Sequence, residues 1–275
     1  MLLIPGTSQT GAEAWNWNYV PALSKAGFHV CTVDLRDRGL ADIQTSTEYV
    51  VNAVRTMVER YRSDVSIIGF SQGPLEARWA VTYWPDVREN VDDLIAIEAP
   101  NRGAALSSAT CSVGQCVPSM WQMRQGSTFL TALSSGDQTP GDISYTSIYS
   151  QTDEFVFPQT PLSVSRLSGN AKNIRVQSVC PGRVVDHVGA TGDAVVYALA
   201  EDALIHAGAA QPARVNRRVC GDSTLPGLSA QKAAANYTAT MAGAGPDFAG
   251  LTYQRVDSEP ALRCYAKSDR PRACS

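Results

Sequence analysis

The sequence predicts an α/β fold with a mostly parallel central sheet and helices on both faces. Two observations carry this. Short apolar runs alternate with helix-like stretches, each joined by a polar loop, which is the pattern of parallel strands linked by crossover helices. The apolar run at residues 65–68 then stops at Gly69-Phe70-Ser71-Gln72-Gly73, and a helical pattern begins at Leu75. That is a strand, a sharp turn and a helix with a serine at the apex. In this setting G-x-S-x-G has a mechanical meaning: a strained turn lifts the serine hydroxyl above the sheet, and the glycines let the two backbones pass close. The alternative is an ordinary strand-to-helix turn capped by a serine.

Taken in order, residues 2–4 form a short first strand that ends in a loop rich in glycine and hydroxyls, residues 5–11. Residues 14–26 carry Trp17, Val20 and Leu23 at helical spacing, with Gly27 as the stop signal. Residues 28–35 read as the second strand and residues 36–45 as a loop. Residues 47–61 form an amphipathic helix with Val50, Val51, Val54, Met57 and Val58 on one face. After the elbow, residues 75–84 place Leu75, Trp79 and Tyr83 four apart, and Pro85 stops the helix. Residues 94–97, 144–149 and 173–179 read as strands, and residues 189–206 and 229–241 as helices. Residues 103–118 are small and polar with two cysteines close together, as in a stapled loop. Residues 243–275 have no clear period and read as a wrapping segment held by cysteines. No repeat or linker divides residues 1–275, so one domain is expected. The chain begins inside an apolar strand without a signal peptide, which points to residues upstream.

A hydrophobic content of 44% with 18% charged residues supports a sizeable core. A net charge of −3, with no basic stripe, argues against nucleic acid. No apolar run reaches the roughly 18 residues of a membrane span. The seven cysteines show no C-x-x-C spacing and only three histidines accompany them, so no metal or other cofactor is expected. Disulfides formed in an oxidising compartment fit better. The odd count leaves either a partner upstream or one free buried thiol.

A nucleophilic serine needs a base, and the base needs an orienting acid. In strand-elbow-helix hydrolases these follow in the order serine, acid, histidine. Only His187 and His206 follow Ser71, and His187 is favoured because it stands in a loop, Asp186-His187-Val188-Gly189, rather than at a helix end. The acid should close a strand between the two, and Asp153 in Ser150-Gln151-Thr152-Asp153-Glu154 does so. Glu154 is its rival and reads as facing solvent or the pocket rim. Asp137 and Asp142 read as turn residues, and Asp186 adjoins the histidine too closely to bridge its ring. The N–H of Gln72 lies at a helix N-terminus and can face a developing oxyanion, and Thr7, in the loop after the first strand, is placed to supply the second donor.

With these parts in place, the chain resembles the Candida antarctica lipase B family over nearly its whole length. The resemblance rests on Leu2-Leu3-Ile4-Pro5-Gly6-Thr7, Asn52-Ala53-Val54, Ser71-Gln72-Gly73, Ser119-Met120-Trp121-Gln122, Leu162-Ser163 and Gln231-Lys232-Ala233-Ala234-Ala235. Tyr149-Ser150-Gln151-Thr152-Asp153-Glu154 matches the acid segment and Val185-Asp186-His187 the histidine segment. The resemblance implies an α/β-hydrolase fold, Ser71 as nucleophile, Asp153 as acid, His187 as base, and Thr7 with Gln72 as the oxyanion hole. It implies a secreted serine hydrolase, monomeric and without a metal, that cleaves carboxylic esters such as triacylglycerols and can acylate alcohols. It suggests the disulfides Cys180–Cys220 and Cys264–Cys274, an upstream partner for Cys31, and, for Cys111–Cys116, an extra local bridge without a family counterpart.

Several positions depart from the family. Gly69 replaces Thr, Phe70 replaces Trp, Pro74 replaces Gly, Asn101 replaces Asp, and Phe155 replaces a branched aliphatic. Phe70, Asn101, Phe155 and Val156 are the expected pocket residues, with Phe70 widening the alcohol side. The helix at residues 229–241 is expected to border the pocket mouth. Two other readings compete: an esterase or polyesterase for short or bulky esters, and a catalytically silent hydrolase-fold binding protein.

Overall fold

Six strands lie side by side in the order β2-β1-β3-β4-β5-β6, every pairing parallel, in a computed structural model that describes residues 1–112, 114–248 and 252–267. They are β1 (Leu2–Ile4), β2 (Cys31–Thr32), β3 (Val65–Phe70), β4 (Val91–Ile97), β5 (Ser144–Tyr149) and β6 (Ala171–Arg175). The inner strands are covered on both faces, so β3 and the end of β4 are near-continuous apolar runs rather than alternating ones. Alternate residues still part to opposite faces. Leu3, Ile68, Ile95 and Ile97 pack on one side with Trp15, Tyr19, Val195 and Leu199. Leu2, Ile4, Ile67 and Leu94 pack on the other with Val50, Val54, Ala77 and Val81. The first group comes from helices α1 (Gly11–Trp15), α2 (Tyr19–Lys25) and α10 (Ala194–Ile205), the second from α3 (Ile43–Tyr61) and α4 (Gly73–Tyr83).

A third apolar cluster lies beyond the sheet, around Trp79, Met120, Trp121 and Phe129. It is built where α4 meets the short helices α6 (Ala105–Cys111), α7 (Pro118–Gln122) and α8 (Thr128–Leu133). Tyr253, Val256, Leu262 and Tyr265 of the C-terminal segment close over it. This is the wrapping role expected of that segment, although α11 (Ala230–Phe248) continues past residue 243 as helix.

Several expected elements differ, each for a local reason. The helix expected at residues 14–26 is two: Asn18 leaves helical geometry (φ −131°, ψ −90°) and its side chain caps α2 at Tyr19 N–H. The second strand shrinks to Cys31–Thr32, because three-residue β1 offers it only Leu2 and Leu3 as partners. Helix α3 starts four residues early, where Asp42 accepts the Gln44 N–H. Pro85 does not only stop α4; it opens a further turn, α5 (Pro85–Arg88), where its missing N–H costs nothing. The strand expected at 173–179 ends at Arg175, and α9 (Val176–Val179) follows, turning Gln177 inward to bond Gln151 N–H and Arg183 C=O. The stretch at 189–206 is a short turn of helix and then α10, separated because Asp193 caps Val195 and Val196. The stapled loop at 103–118 contains α6.

The bridges Cys111–Cys116 and Cys180–Cys220 are both formed. Cys31 is free and half-buried. Cys264 is disulfide-bonded, and the expected pairing with Cys274 lies outside the described residues. The two described bridges close loops of very different length, with sequence separations of 40 and 5. Replacing Cys180 and Cys220 by serine is expected to cost about 4 kcal/mol, against about 2 kcal/mol for the Cys111 and Cys116 pair, in the chain-entropy account. Denaturant unfolding of the two double variants measures the difference; equal losses would show that chain entropy is not what these bridges contribute.

Candidate active site

The elbow fits together because nothing larger than glycine fits at its two crossing points. A Cβ on Gly73 would stand 2.7 Å from the Ile4 carbonyl oxygen and 2.8 Å from that of Pro5. A Cβ on Gly69 would stand 2.6 Å from the Pro74 nitrogen and 2.8 Å from its ring Cδ. The Gly73 carbonyl carbon stands 2.9 Å away as well, so a side chain at 69 is excluded chiefly by the backbone of the first helical turn, with the Pro74 ring beside it. Between the glycines, Ser71 takes φ +55°, a region L-residues rarely occupy, and its N–H donates to Ile97 C=O at 2.8 Å. The serine is thereby held at the C-terminal edge of the sheet, where the ends of β3 and β4 and the loop after β1 converge.

His187 Nε2 lies 2.9 Å from Ser71 Oγ, and His187 Nδ1 lies 2.8 Å from Asp153 Oδ2. All three residues are buried. The other carboxylate oxygen, Asp153 Oδ1, accepts the N–H groups of Phe155 and Val156 at 2.8 and 2.7 Å. Burial by itself would raise the Asp153 carboxyl, but His187 and the hydrogen bonds together hold it below the usual carboxylate range. Glu154 is exposed, as expected, and accepts the His187 backbone N–H at 3.0 Å, pinning the loop from outside. The imidazole sits between Phe70 and Phe155, with ring centroids 4.9 and 5.3 Å away. Both aromatics line the cavity in front of Ser71, and so does Val156. Phe70 and Phe155 therefore shape the pocket and also hold the base.

The other histidines stand apart from this group. His206 follows α10 and bonds back to Asp202, and His29 stacks on Tyr61. Asp186 caps the Gly189 N–H, and Asp137 that of Thr139, as turn residues do.

Thr7 lies on the cavity wall beside Ser71. Its hydroxyl donates to Gln72 Oε1 at 2.7 Å, and Gln72 Nε2 donates to Glu76 Oε1 at 2.6 Å. The Gln72 side chain is thus a brace behind the site, while its backbone stands at the start of α4. Glu76 is completely buried, and burial pushes its carboxyl up to about 8.

Asn101 is a correction. Its side chain turns away from the cavity, accepting from Arg78 Nη1 at 3.1 Å and donating to Ser165 C=O at 2.7 Å, so Pro100 forms that part of the wall instead. It is a partner of a buried arginine rather than a pocket residue. The far side of the cavity is roofed by Thr240, Met241 and Ala244 of α11, the helix expected at the mouth. The tie that holds this roof was not foreseen: Asp247 accepts from Ser8 Oγ, from Thr252 Oγ1 at 2.6 Å and from Arg38 Nε at 3.4 Å. Arg38 in turn bonds Glu13 at 2.7 Å. Nothing in the spacing marks Arg38 or Asp247, which are more than 200 residues apart. No cluster of three or more metal-ligating side chains occurs among the described residues, and no helix among them is long and apolar enough to cross a membrane.

A parallel sheet with a serine elbow, an acid after β5 and a histidine after α9 defines an α/β-hydrolase. The chain belongs to the family Lipase (class 2), whose model matches residues 1–176. It is 34% identical over 209 residues to lipase B of Pseudozyma antarctica, an alignment covering 74% of this chain and 61% of that protein. The crystal structure of Aspergillus fumigatus lipase B superposes with a TM-score of 0.89 at 30% identity, covering 97% of this chain and 66% of that one. A mature Bacillus licheniformis lipase shares the fold at a TM-score of 0.53 and 15% identity, over 63% of this chain and 80% of its own. The chain thus spans about three fifths of the length of the curated relative it matches.

Two outcomes follow from the packing. Gly69→Thr is expected to cost about 3 kcal/mol of stability, and to cost nearly as much in a Pro74→Gly background, because the obstructing atoms are backbone. Unfolding free energies of the four proteins in the cycle check this; a cost that largely disappears with the ring would mean that the ring is the obstacle. Glu76 binds its proton more tightly folded than unfolded, so its contribution to stability is complete below the ordinary carboxylate range and is lost as pH rises towards about 8. Glu76→Gln keeps an acceptor for Gln72 and does not titrate. Its stability advantage over the native protein is expected to widen by about 1–3 kcal/mol between mildly acidic and mildly alkaline solution, read from denaturant midpoints.

Proposed function

We propose that this protein is a serine hydrolase of carboxylic esters, triacylglycerols among them, working through an acyl-enzyme and able to pass the acyl group to alcohols. The observation that carries this is the unbroken line Asp153–His187–Ser71, with links of 2.8 and 2.9 Å, ending at an apolar cavity. Ser71 Oγ attacks the ester carbonyl while His187 Nε2 takes its proton. Asp153, held below the usual carboxylate range, keeps the Nδ1 proton in place and stabilises the imidazolium. The N–H groups of Thr7 and Gln72 receive the oxyanion, each donor contributing about 3 kcal/mol to the transition state. His187 then protonates the leaving alcohol, and water or a second alcohol, activated by the same base, releases the acyl group.

The apolar cavity supports an acyl chain or other apolar ester as the substrate. The mixed aromatic and aliphatic wall around Phe70, Phe155 and Met120 also suits short or bulky esters, which is the reading to separate from it. Disulfides support secretion, and the described residues are proposed to act as one monomeric unit.

An alkylphosphonate probe and a series of p-nitrophenyl esters of rising chain length, beside emulsified triglyceride, test the proposal. Labelling is expected in the native protein and absent in Ser71→Ala; a native protein that takes no label would end the enzyme reading. Asp153→Asn and His187→Ala are expected to lower kcat by about 10⁴-fold or more, with smaller changes in KM. Turnover of short esters without any on triglyceride would assign the protein to the esterases.

A further inference from the structure

The acid of the triad has a second carboxyl group behind it. Glu98 follows the last residue of β4 and is fully buried with φ +50°, a strained conformation for a non-glycine residue. It is held on the strand ends by its N–H, which donates to Ile148 C=O at 2.9 Å. Its Oε1 accepts the Ser150 N–H at 2.7 Å. Its Oε2 is sealed from water with no donor to accept from among the described residues. The group it meets is another acceptor, the carboxylate of Asp153.

Two carboxylates in contact and out of water are not both ionised, because one proton turns the repulsion into a hydrogen bond. The surroundings decide which of the two keeps it. Asp153 has two backbone N–H groups on one oxygen and His187 on the other, all favouring its charged form. Glu98 has one backbone N–H and no cation. Burial, the negative charge of Asp153 and, further out, that of Glu154 all hold the Glu98 carboxyl well above the usual range. These two carboxylates are the charged groups that face it, with His187 beyond Asp153.

We propose that Glu98 is a positioning residue of the triad: as a neutral acid, it donates a hydrogen bond to the Asp153 carboxylate and so restrains both that group's orientation and its pull on the His187 proton. The inference rests on the hydrolase reading of the site. Its chemistry is a matter of degree. A hydrogen bond from Glu98 draws charge away from Asp153, so the carboxylate pulls less on the imidazolium that forms during the reaction. Take the donor away, and Asp153 holds the His187 proton more tightly. Let Glu98 ionise in alkali, and the same happens more strongly, with the Asp153 carboxylate also pushed off its line.

Two measurements test this. The first does not depend on activity. In protein labelled with carbon-13 at glutamate carboxyls, the resonance that disappears in Glu98→Gln is expected at the position of a protonated acid at neutral pH. Finding it at the ionised position would overturn the proposal. The second is the pH profile of kcat/KM on a short soluble p-nitrophenyl ester. Glu98→Gln keeps an acceptor for Ser150 and a donor for Asp153, and is expected to keep the acid limb of the native profile. Glu98→Leu is expected to move that limb up by about one pH unit and to lower kcat about tenfold. A Glu98→Leu protein that is folded by circular dichroism and has the native limb would overturn the proposal as well. Should that variant not fold, the carboxyl resonance decides alone. Should the native protein hydrolyse no ester, the hydrolase reading fails while the resonance still reports whether Glu98 is protonated.

Discussion

The crossing of the start of α4 over the ends of β1 and β3 is the contact on which the site depends. Backbone meets backbone there, with Gly73 against the Ile4 and Pro5 carbonyls and Gly69 against Pro74. No side chain can be inserted at either point without pushing strand and helix apart, and any such movement would swing Ser71 away from His187. Because the serine's left-handed backbone is over-determined by its neighbours, its strain is stored rather than relieved. The adjacent Pro74 stiffens the first turn of the helix at the position where a proline is tolerated.

Behind this crossing the protein places charged residues where a hydrophobic core would be the simpler choice. Glu76, Arg78 and Glu98 are all buried in the layer beneath the site. Two of them touch functional groups indirectly: Glu76 fixes the Gln72 amide that receives the Thr7 hydroxyl, and Glu98 meets Asp153. A buried acid without a cation is unfavourable unless it stays neutral. The site is therefore backed by hydrogen-bond donors and acceptors of fixed orientation rather than by mobile charge, which suits a reaction that develops charge in front of them.

Much of this was legible in the sequence, for physical reasons that also explain what was not. The sheet could be read because strands buried on both faces are near-continuous apolar runs, and β3 and the end of β4 are. The line Ser71, Asp153 and His187 was readable because each ends a strand or stands in a loop beside the sheet edge, in an order that the fold imposes. Boundaries failed where a single polar side chain decides them: Asn18 breaks a helix, Asp42 starts one early, and Gln177 turns a strand end into a helical turn. Asn101 was misplaced because a sequence position says nothing about which way a side chain faces, and here Arg78 claims it. Glu98 carries only one signal in the sequence, a carboxylate directly after Ile97 at the end of a strand beside the one that delivers Ser71. The Arg38–Asp247 tie had none.

That tie has a consequence for how the protein is made. Ser71, Asp153 and His187 span about 116 positions of the chain, whereas Ser8 and Asp247 are 239 apart. Loop closure over such a distance comes late, and the N-terminal part of a chain emerges first. Strands β1 to β6 and the catalytic line can therefore assemble while the apolar cavity is still open on the side of α11. Its roof arrives with nearly the last turn of that helix, so for part of its synthesis the chain carries an uncovered apolar groove. A chain that stops between α10 and α11 would have all six strands but leave bare the apolar cavity that Thr240, Met241 and Ala244 cover.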